Sequence, residues 1–234
     1  MSNSTTFPIG LSADPLKTKL CQFIDNPQFP CVGAKAALAK NGIDVVAAQS
    51  MTSAWDDLAV YRSVLDFVQA YRRAPKLFRS LAIVYDTPRT LTEEQFERFM
   101  WERLQSMSDK DVWMGQSYDS TVSHDPTNPH FALSFGGEAF FAVGLHPKSS
   151  RKSRRFVTPT IILNVRDQFE QLRADNRYER MRATIIDRDE QYSGSINPML
   201  SRHGDKPEAA QYSGRAVDND WQCPFNYDRL HNAA

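Results

Sequence analysis

The sequence contains few cysteines, and their spacing fits neither a disulfide framework nor a structural zinc site. Its 234 residues include three cysteines, Cys21, Cys31 and Cys223, and no two of them form a CxxC pair. No run of about 18 apolar residues is present, which excludes an ordinary transmembrane helix. The N-terminus lacks the basic and apolar regions of a secretory signal. We therefore expect a soluble, cytoplasmic protein with no membrane partner.

Neither sign of charge is in excess, because 28 basic and 28 acidic residues give a formal net charge of zero. Dedicated nucleic-acid binders usually carry a basic excess, so no nucleic-acid partner is expected. The signatures GxxxxGK[ST], GxGxxG, HExxH and GxSxG are also missing. Simple nucleotide-binding, zinc-protease and serine-hydrolase functions therefore lack support.

The first half of the chain shows helical and strand-like patterns in alternation. Hydrophobic spacing predicts helices over 13–25, 32–40 and 55–73 and another from Thr90, with strands over 43–48 and 81–85. Ser53 and Asp56 have the spacing of a capping box, and Thr90 and Glu93 open the last of these helices. This alternation predicts that part of the sheet is parallel.

The second half is richer in strands and loops. Gly136-Gly137-Glu138 separates two apolar runs and predicts a β-hairpin. A strand over 160–165 and a charged helix over 167–183 follow, and then the polar stretch 191–222, expected to be a long loop or lid. With residues 1–10 as a frayed end, the pattern predicts a single α+β domain over 1–234. Its mixed sheet would have about five or more strands, flanked by helices.

Two neighbouring features carry the strongest chemical signal. His146 ends the most apolar strand-like run, in GLHP, where an imidazole could bind a metal or haem iron, or simply bond a loop carbonyl. The next segment, Lys148–Arg155, holds five positive charges in eight residues. It is either a solvated face or an anion site in which arginine forks and the Ser150 hydroxyl hold a carboxylate or phosphate.

Other residues give weaker signals that leave alternatives open. Cys31 and Cys223 each lie next to a proline and are either thiolate ligands or small buried hydrophobes. The loop residues His124, Asp125 and His130 have the types of a non-haem iron triad, without diagnostic spacing. Glu138 could bind a cationic group or face water at the hairpin tip.

Several motifs together resemble the YqcI/YcgG family over about residues 29–227. The segments that carry the resemblance are FPCVGAKAAL, FALSFGGEAFFAVGLHPKSSRKSRRF, PTIILNVRDQFEQLR, NPML, HGDK, QYSGR and WQCPF. Studied members are b-type haem proteins that hydroxylate a guanidine nitrogen of arginine or of an arginine-derived metabolite. The resemblance thus implies a haem-dependent N-oxygenase that uses haem b, O₂ and an external electron donor.

The resemblance also implies roles for individual residues. His146 is the first choice for the iron ligand, with Cys223 and Cys31 as alternatives. The basic motif would pair with the haem propionates or a substrate carboxylate; its expected members are Arg151, Arg154, Arg155 and Ser150. A carboxylate is needed to orient the cationic substrate, and the candidates are Glu138, Asp187 and Asp189. The stretch 191–222 would exclude water as a lid.

Two other functions compete with this interpretation. A haem-binding carrier or sensor would share the cofactor without turnover. A protein that binds phosphate or RNA through the basic loop would bind no haem, and its nucleic-acid binding would depend on salt. The sequence leaves the substrate, the electron donor and the oligomeric state open, with a homodimer among the alternatives.

Overall fold

A computed structural model describes residues 13–200 and 207–230, which form six α-helices and five β-strands. In chain order these are α1 (Ala13–Asp25), α2 (Val32–Ala39), β1 (Ile43–Ser50), α3 (Asp57–Arg73), β2 (Ser80–Thr87), α4 (Glu93–Trp113), β3 (Leu133–Phe135), β4 (Glu138–Leu145), β5 (Thr160–Val165), α5 (Asp167–Ala174) and α6 (Tyr178–Ser193). None of the described helices is long and apolar enough to cross a lipid bilayer.

The strands form one mixed sheet in the order β1-β2-β5-β4-β3. β1 and β2 pair in parallel, and the other neighbours pair antiparallel. The parallel pair is connected by α3, as the helix–strand alternation predicted. The predicted α+β class and mixed five-stranded sheet are confirmed.

The sheet separates two hydrophobic clusters. On one face, residues of β4 and β5 such as Phe140 and Leu163 pack with α3 and α4. On the other face, Val143, Leu145 and Ile162 pack with α1 and α2. Successive side chains of a strand point to opposite faces, so β4 contributes Phe140 and Ala142 to the first cluster and Val143 and Leu145 to the second.

The C-terminal half of β4 is covered by a segment that the sequence assigned to a loop or lid. β3 pairs only with Phe140 and the residues before it, and beyond that point the Gly144 N–H donates to the Tyr212 carbonyl at 2.7 Å. Ala209 and Tyr212 are fully buried. Residues 207–213 therefore form part of the core. They also supply a backbone partner to the edge of β4, where an open strand edge would leave backbone groups unpaired. Residues 201–206 of the expected lid and the expected frayed end at 1–10 lie outside the described residues.

Two helix starts differ from the predicted ones. Asp56 is the N-cap of α3 without a capping bond from its side chain, because its carboxylate accepts the Gln49 N–H at the end of β1. The capping box predicted at Ser53 and Asp56 is thus wrong. α4 has a capping box two residues later than predicted, formed by Thr92 and Gln95. The predicted single helix over 167–183 is two helices, α5 and α6.

The predicted Gly-Gly hairpin is confirmed and is attached to the helical layer by a buried carboxylate. Gly136 and Gly137 both have positive φ, as a tight two-residue turn requires. Asp111 of α4 accepts the Gly136 N–H at 2.8 Å and the Tyr61 hydroxyl at 2.7 Å. Burial raises the pKa of Asp111 to about 6, against the lowering effect of these two donors.

This carboxylate makes the stability of the fold depend on pH. The folded-state pKa of Asp111 lies above its ordinary value of 3.8, so the folded state holds the proton more tightly than the unfolded state. Its contribution to stability is complete below pH 3.8 and is lost as the pH rises through about 6. For Asp111→Asn we expect the difference in unfolding free energy between pH 4 and pH 7 to change by on the order of 2–3 kcal/mol, measured by urea denaturation.

The matched control is Asp66→Asn on the exposed side of α3, which should keep the wild-type pH profile. Identical profiles for wild type and Asp111→Asn would show that the Asp111 carboxylate does not hold the extra proton.

Candidate functional site

An apolar cavity of about 270 Å³ lies between the sheet and helices α1, α2, α5 and α6. The sheet contributes Phe141, Val143 and Ile162, which are residues of β4 and β5 that point away from α4. The helices and loops around it add Phe23, Phe29, Phe78, Phe169, Leu172 and Met181. A concave apolar space with a few convergent polar groups is the usual form of a small-molecule site.

Cys31 supplies a sulfur atom to the cavity wall. It is the N-cap of α2, and its Sγ accepts the Ala34 N–H at 3.4 Å. Burial raises the pKa of the Cys31 thiol, while the backbone N–H groups and the charge of Arg154 lower it. A Cβ on Gly33 would lie 3.8 Å from both Cys31 Sγ and Met181 Sδ. The glycine therefore leaves space beside the two sulfur atoms.

Arg154 is the one cation among the described residues of the cavity lining. Its guanidinium donates to the carbonyls of Gly144, Tyr212 and Gln211 at 3.1–3.2 Å. Burial lowers its pKa to about 10, so it remains charged at neutral pH. Arg154 thus joins β4, the basic loop and the segment after residue 207, and it brings a positive charge to the cavity.

Asp189 of α6 is the one carboxylate in the described lining of the cavity. It is buried and accepts Arg151 Nη2 at 2.6 Å and the Ser193 hydroxyl at 3.0 Å. Arg151 is equally buried and also donates to the Ser195 carbonyl at 2.8 Å. The cavity therefore brings together the Cys31 thiol, the Arg154 guanidinium and the Asp189 carboxylate.

His146 lies on the other face of the sheet. Its imidazole stacks on Phe96 of α4, with ring centroids 4.3 Å apart, and it does not line the cavity. Burial lowers the pKa of His146 to about 4, so the ring is neutral, and its Nδ1 has no hydrogen-bond partner among the described residues. A neutral ring with an unpaired nitrogen keeps the chemistry of a ligand, but the structure separates it from Cys31 and Asp189.

The remaining predicted site residues also lie away from the cavity. Cys223 packs beside the cluster on the α4 face, and burial raises its pKa to about 12. Glu138 pairs with Arg72 at the hairpin, 3.3 Å from its Nε, and Asp187 is exposed on α6.

The two other members of the basic motif make contacts within the protein. Arg155 donates to the Ser149 and Ser150 carbonyls, and the Ser150 hydroxyl bonds to Glu93 at 2.9 Å. A non-haem iron site at His124, Asp125 and His130 gains no support, because no cluster of three potential metal ligands occurs within 13–200 and 207–230.

Sequence reasoning missed the polar groups that β5 and α5 add to the cavity. Asn164 interrupts the apolar strand β5, and Gln168 follows in α5. Ser80 donates to Asn164 at 2.7 Å, and Gln168 bonds to the backbone of Arg79. An asparagine within a strand-like apolar run was the available signal, because a buried amide has to be satisfied by hydrogen bonds.

Comparison with protein-family models matches residues 20–226 to the YqcI/YcgG family. The match covers most of the chain and includes Cys31, Arg154 and Asp189. The chain belongs to the YqcI/YcgG family. This confirms the resemblance that the sequence motifs indicated.

Neither the curated proteins nor the solved structures gave a significant match. Within this YqcI/YcgG chain, the geometry of the cavity is therefore the basis on which a function can be argued.

Arg154 should be required for stability as well as for the charge of the cavity. Arg154→Met removes three hydrogen bonds from a guanidinium to backbone carbonyls, and a hydrogen bond to a charged group contributes about 1.5–3 kcal/mol. We expect a loss of at least about 3 kcal/mol in the unfolding free energy, measured by chemical denaturation.

Lys152→Met is the matched control, because Lys152 is exposed in the same loop. An equal and small effect of both substitutions would mean that the Arg154 bonds do not stabilise the fold.

Proposed function

We propose that this chain is a haem-dependent N-oxygenase that hydroxylates a guanidine or amine nitrogen of arginine or an arginine-derived metabolite. The observation that carries the proposal is the apolar cavity in which a thiol, a guanidinium and a carboxylate converge. Membership of the YqcI/YcgG family and the resemblance to its studied haem proteins are in agreement with it.

The residues around the cavity fit haem b in their chemistry. The aromatic and aliphatic lining suits the macrocycle, and Arg154 offers a positive charge to a propionate. Cys31 offers a sulfur ligand for iron, held at the N-terminus of α2 beside the Ala34 N–H. The volume lies near the lower end of small-molecule sites, about 300 Å³. Because haem is a large ligand and the cavity is about 270 Å³, binding of haem would require the surrounding helices or side chains to move outward.

The geometry supports Cys31 rather than His146 as the protein ligand of the proposed haem. Cys31 reaches the cavity, whereas His146 and Cys223 lie on the α4 side of the sheet. Backbone N–H groups that point at a sulfur stabilise its anionic form and tune a bound metal. The sequence motifs gave His146 as the first choice of iron ligand, with Cys223 and Cys31 as alternatives. We propose Cys31 instead.

The chemistry explains why a cofactor is needed. A guanidinium is protonated at neutral pH and is a poor nucleophile. Haem supplies the oxygen-activating iron that amino-acid side chains cannot provide. One oxygen atom of O₂ enters the N–H bond to give N–OH, and the other leaves as water with two electrons and two protons from an external donor of reducing equivalents.

The chain's own residues would bind and orient the substrate. Asp189, which lines the cavity and also pairs with Arg151, would bind the cationic end of a guanidine, and the apolar lining would exclude water from the reacting nitrogen. The cysteines of the described chain, Cys21, Cys31 and Cys223, are free thiols. This agrees with a reaction in a reducing cytoplasm.

A non-catalytic haem carrier or sensor is the second candidate. It is favoured by the Arg151–Asp189 pair, since a carboxylate that already has a guanidinium partner need not bind a substrate. Surface binding of RNA or phosphate has less support, because Arg151, Arg154 and Arg155 all donate to groups within the protein.

Absorption spectra of the protein produced with haem precursor test the cofactor and its ligand together. Spectra should be recorded oxidised, reduced and reduced with carbon monoxide. We expect a Soret band in wild type and a carbon-monoxide adduct at the long wavelength typical of thiolate ligation. The thiolate signature should be lost in Cys31→Ser and kept in Cys21→Ser and His146→Gln.

Loss of the haem signal in His146→Gln but not in Cys31→Ser would place the iron on the other face of the sheet. Absence of haem from folded, haem-supplied protein would contradict the oxygenase proposal. Incubation with L-arginine, O₂ and a reductant should give a product heavier by one oxygen atom in mass spectrometry. Haem binding without any product would favour the carrier or sensor.

A further inference from the structure

Three oxidisable aromatic side chains lie in series between the protein surface and the apolar cavity. Trp221 and Trp101 have ring centroids 6.3 Å apart, and Trp101 stacks on Tyr212 with centroids 5.7 Å apart. The Tyr212 ring centroid is in turn 5.2 Å from that of Phe141, which lines the cavity. We call Trp221, Trp101 and Tyr212 the aromatic chain.

The two ends of the aromatic chain differ in their contact with solvent. Trp221 is half-buried and packs against the hydrophobic cluster on the α4 face. Trp101 and Tyr212 are enclosed, with 2% and 0% of their surface exposed. One end of the chain therefore reaches solvent, and the other meets the wall of the cavity.

The indole of Trp101 is not held in place by a hydrogen bond. Its Nε1 is buried and has no hydrogen-bond partner among the described residues, although a buried indole N–H usually has one. An unpaired buried donor costs free energy that a phenylalanine at this position would avoid. A tryptophan here therefore points to a property of the indole other than packing, and ease of one-electron oxidation is such a property.

Tyr212 has a proton acceptor at its hydroxyl. The hydroxyl donates to Glu208 Oε1 at 2.8 Å, and Glu208 Oε2 accepts Arg166 Nη1 at the same distance. Burial raises the pKa of Tyr212 well above its ordinary value, so the phenol is protonated in the resting protein. A phenol that loses an electron becomes strongly acidic and needs a base within hydrogen-bond distance. Glu208 supplies that base.

We propose that the aromatic chain carries single electrons from the surface to an oxidised cofactor in the cavity when no substrate nitrogen is bound there. This inference rests on the proposed function, from which the haem is taken; O₂ or peroxide is the oxidant. Such a route spares the Cys31 thiol, which lines the same cavity, from oxidation.

Each transfer moves one electron and returns the proton to its origin. Tyr212 gives an electron to the oxidised cofactor, and its phenol proton passes to Glu208. Trp101 then reduces the tyrosyl radical, the proton returns from Glu208 to the phenol, and Trp221 reduces Trp101. A small-molecule reductant in solvent, such as a thiol or ascorbate, finally gives one electron to Trp221 and is itself oxidised.

Radical trapping after peroxide treatment tests the aromatic chain. The haem-loaded full-length protein, without substrate, is mixed with hydrogen peroxide and a nitroso spin trap, and peptide mass spectrometry locates the trapped residues. We expect an adduct on Trp221 that is lost in Tyr212→Phe, which keeps the ring and removes the hydroxyl. Tyr61→Phe is the matched control and should keep the adduct. Tyr61 is also buried and bonded to a carboxylate, that of Asp111, but lies outside the chain.

Trp221→Phe changes only the half-buried end of the aromatic chain. Without this end, peroxide should destroy the haem faster, measured as the decay of its Soret band. Trp113→Phe is the control, because Trp113 is exposed at the end of α4, and its haem should decay at the wild-type rate. An adduct on Trp221 that survives Tyr212→Phe, or unchanged haem decay in Trp221→Phe, would overturn the aromatic chain.

A photo-oxidant in place of haem separates this inference from the proposed function. Flash oxidation of haem-free protein by a dissolved ruthenium complex removes an electron from tryptophans that reach solvent. A tyrosyl radical in electron paramagnetic resonance that requires both Trp221 and Tyr212 would support the chain, even if uptake of haem fails and contradicts the oxygenase. Absence of that radical, in a protein that does take up haem, would overturn the chain and leave the cofactor proposal standing.

Discussion

Successive side chains of β4 point to opposite faces of the sheet, and the rest of the structure depends on this division. Phe141, Val143 and Leu145 face the cavity, while Gly144 and His146 face α4. A Cβ on Gly144 would lie 2.6 Å from the Phe96 ring, so α4 approaches this side of β4 too closely for any side chain there. The GLHP motif is thus explained first by packing between β4 and α4.

The C-terminal end of β4 also connects the two sides. The backbone of Gly144 bonds to Tyr212 through its N–H and to Arg154 through its carbonyl. Arg154 reaches the cavity from the basic loop, so the loop, the strand edge and the segment after residue 207 form one hydrogen-bonded unit. Arg154, which resembles part of a solvated surface in the sequence, is therefore an internal connection beside the apolar cavity.

Much of the fold was predictable from local patterns. The Gly136-Gly137 turn and the strand over 160–165 follow from residue types at short spacing, and both agree with the structure. The capping residues of α3 and α4 were not predicted correctly from such local patterns. Asp56 bonds across to Gln49 rather than to its own helix, and such a choice depends on tertiary contacts.

The site was less predictable because its members are distant in sequence. Cys31, Arg154 and Asp189 lie on three separate elements, and only the folded chain brings them to one cavity. The sequence named all three among its candidates, but His146 was the first choice of iron ligand, because it lies in the GLHP motif that carries the resemblance to the YqcI/YcgG family. The two-residue period of β4 indicates that His146 lies on the face opposite Val143 and Leu145, in agreement with its stacking on Phe96.

A crystal structure of the haem-loaded chain, with iron located by its anomalous scattering, tests the central claim most directly. The account predicts iron in the cavity between the sheet and helices α1, α2, α5 and α6, with the Cys31 sulfur as its protein ligand. Iron bound by His146 on the α4 side of the sheet, or haem outside this cavity, would contradict it.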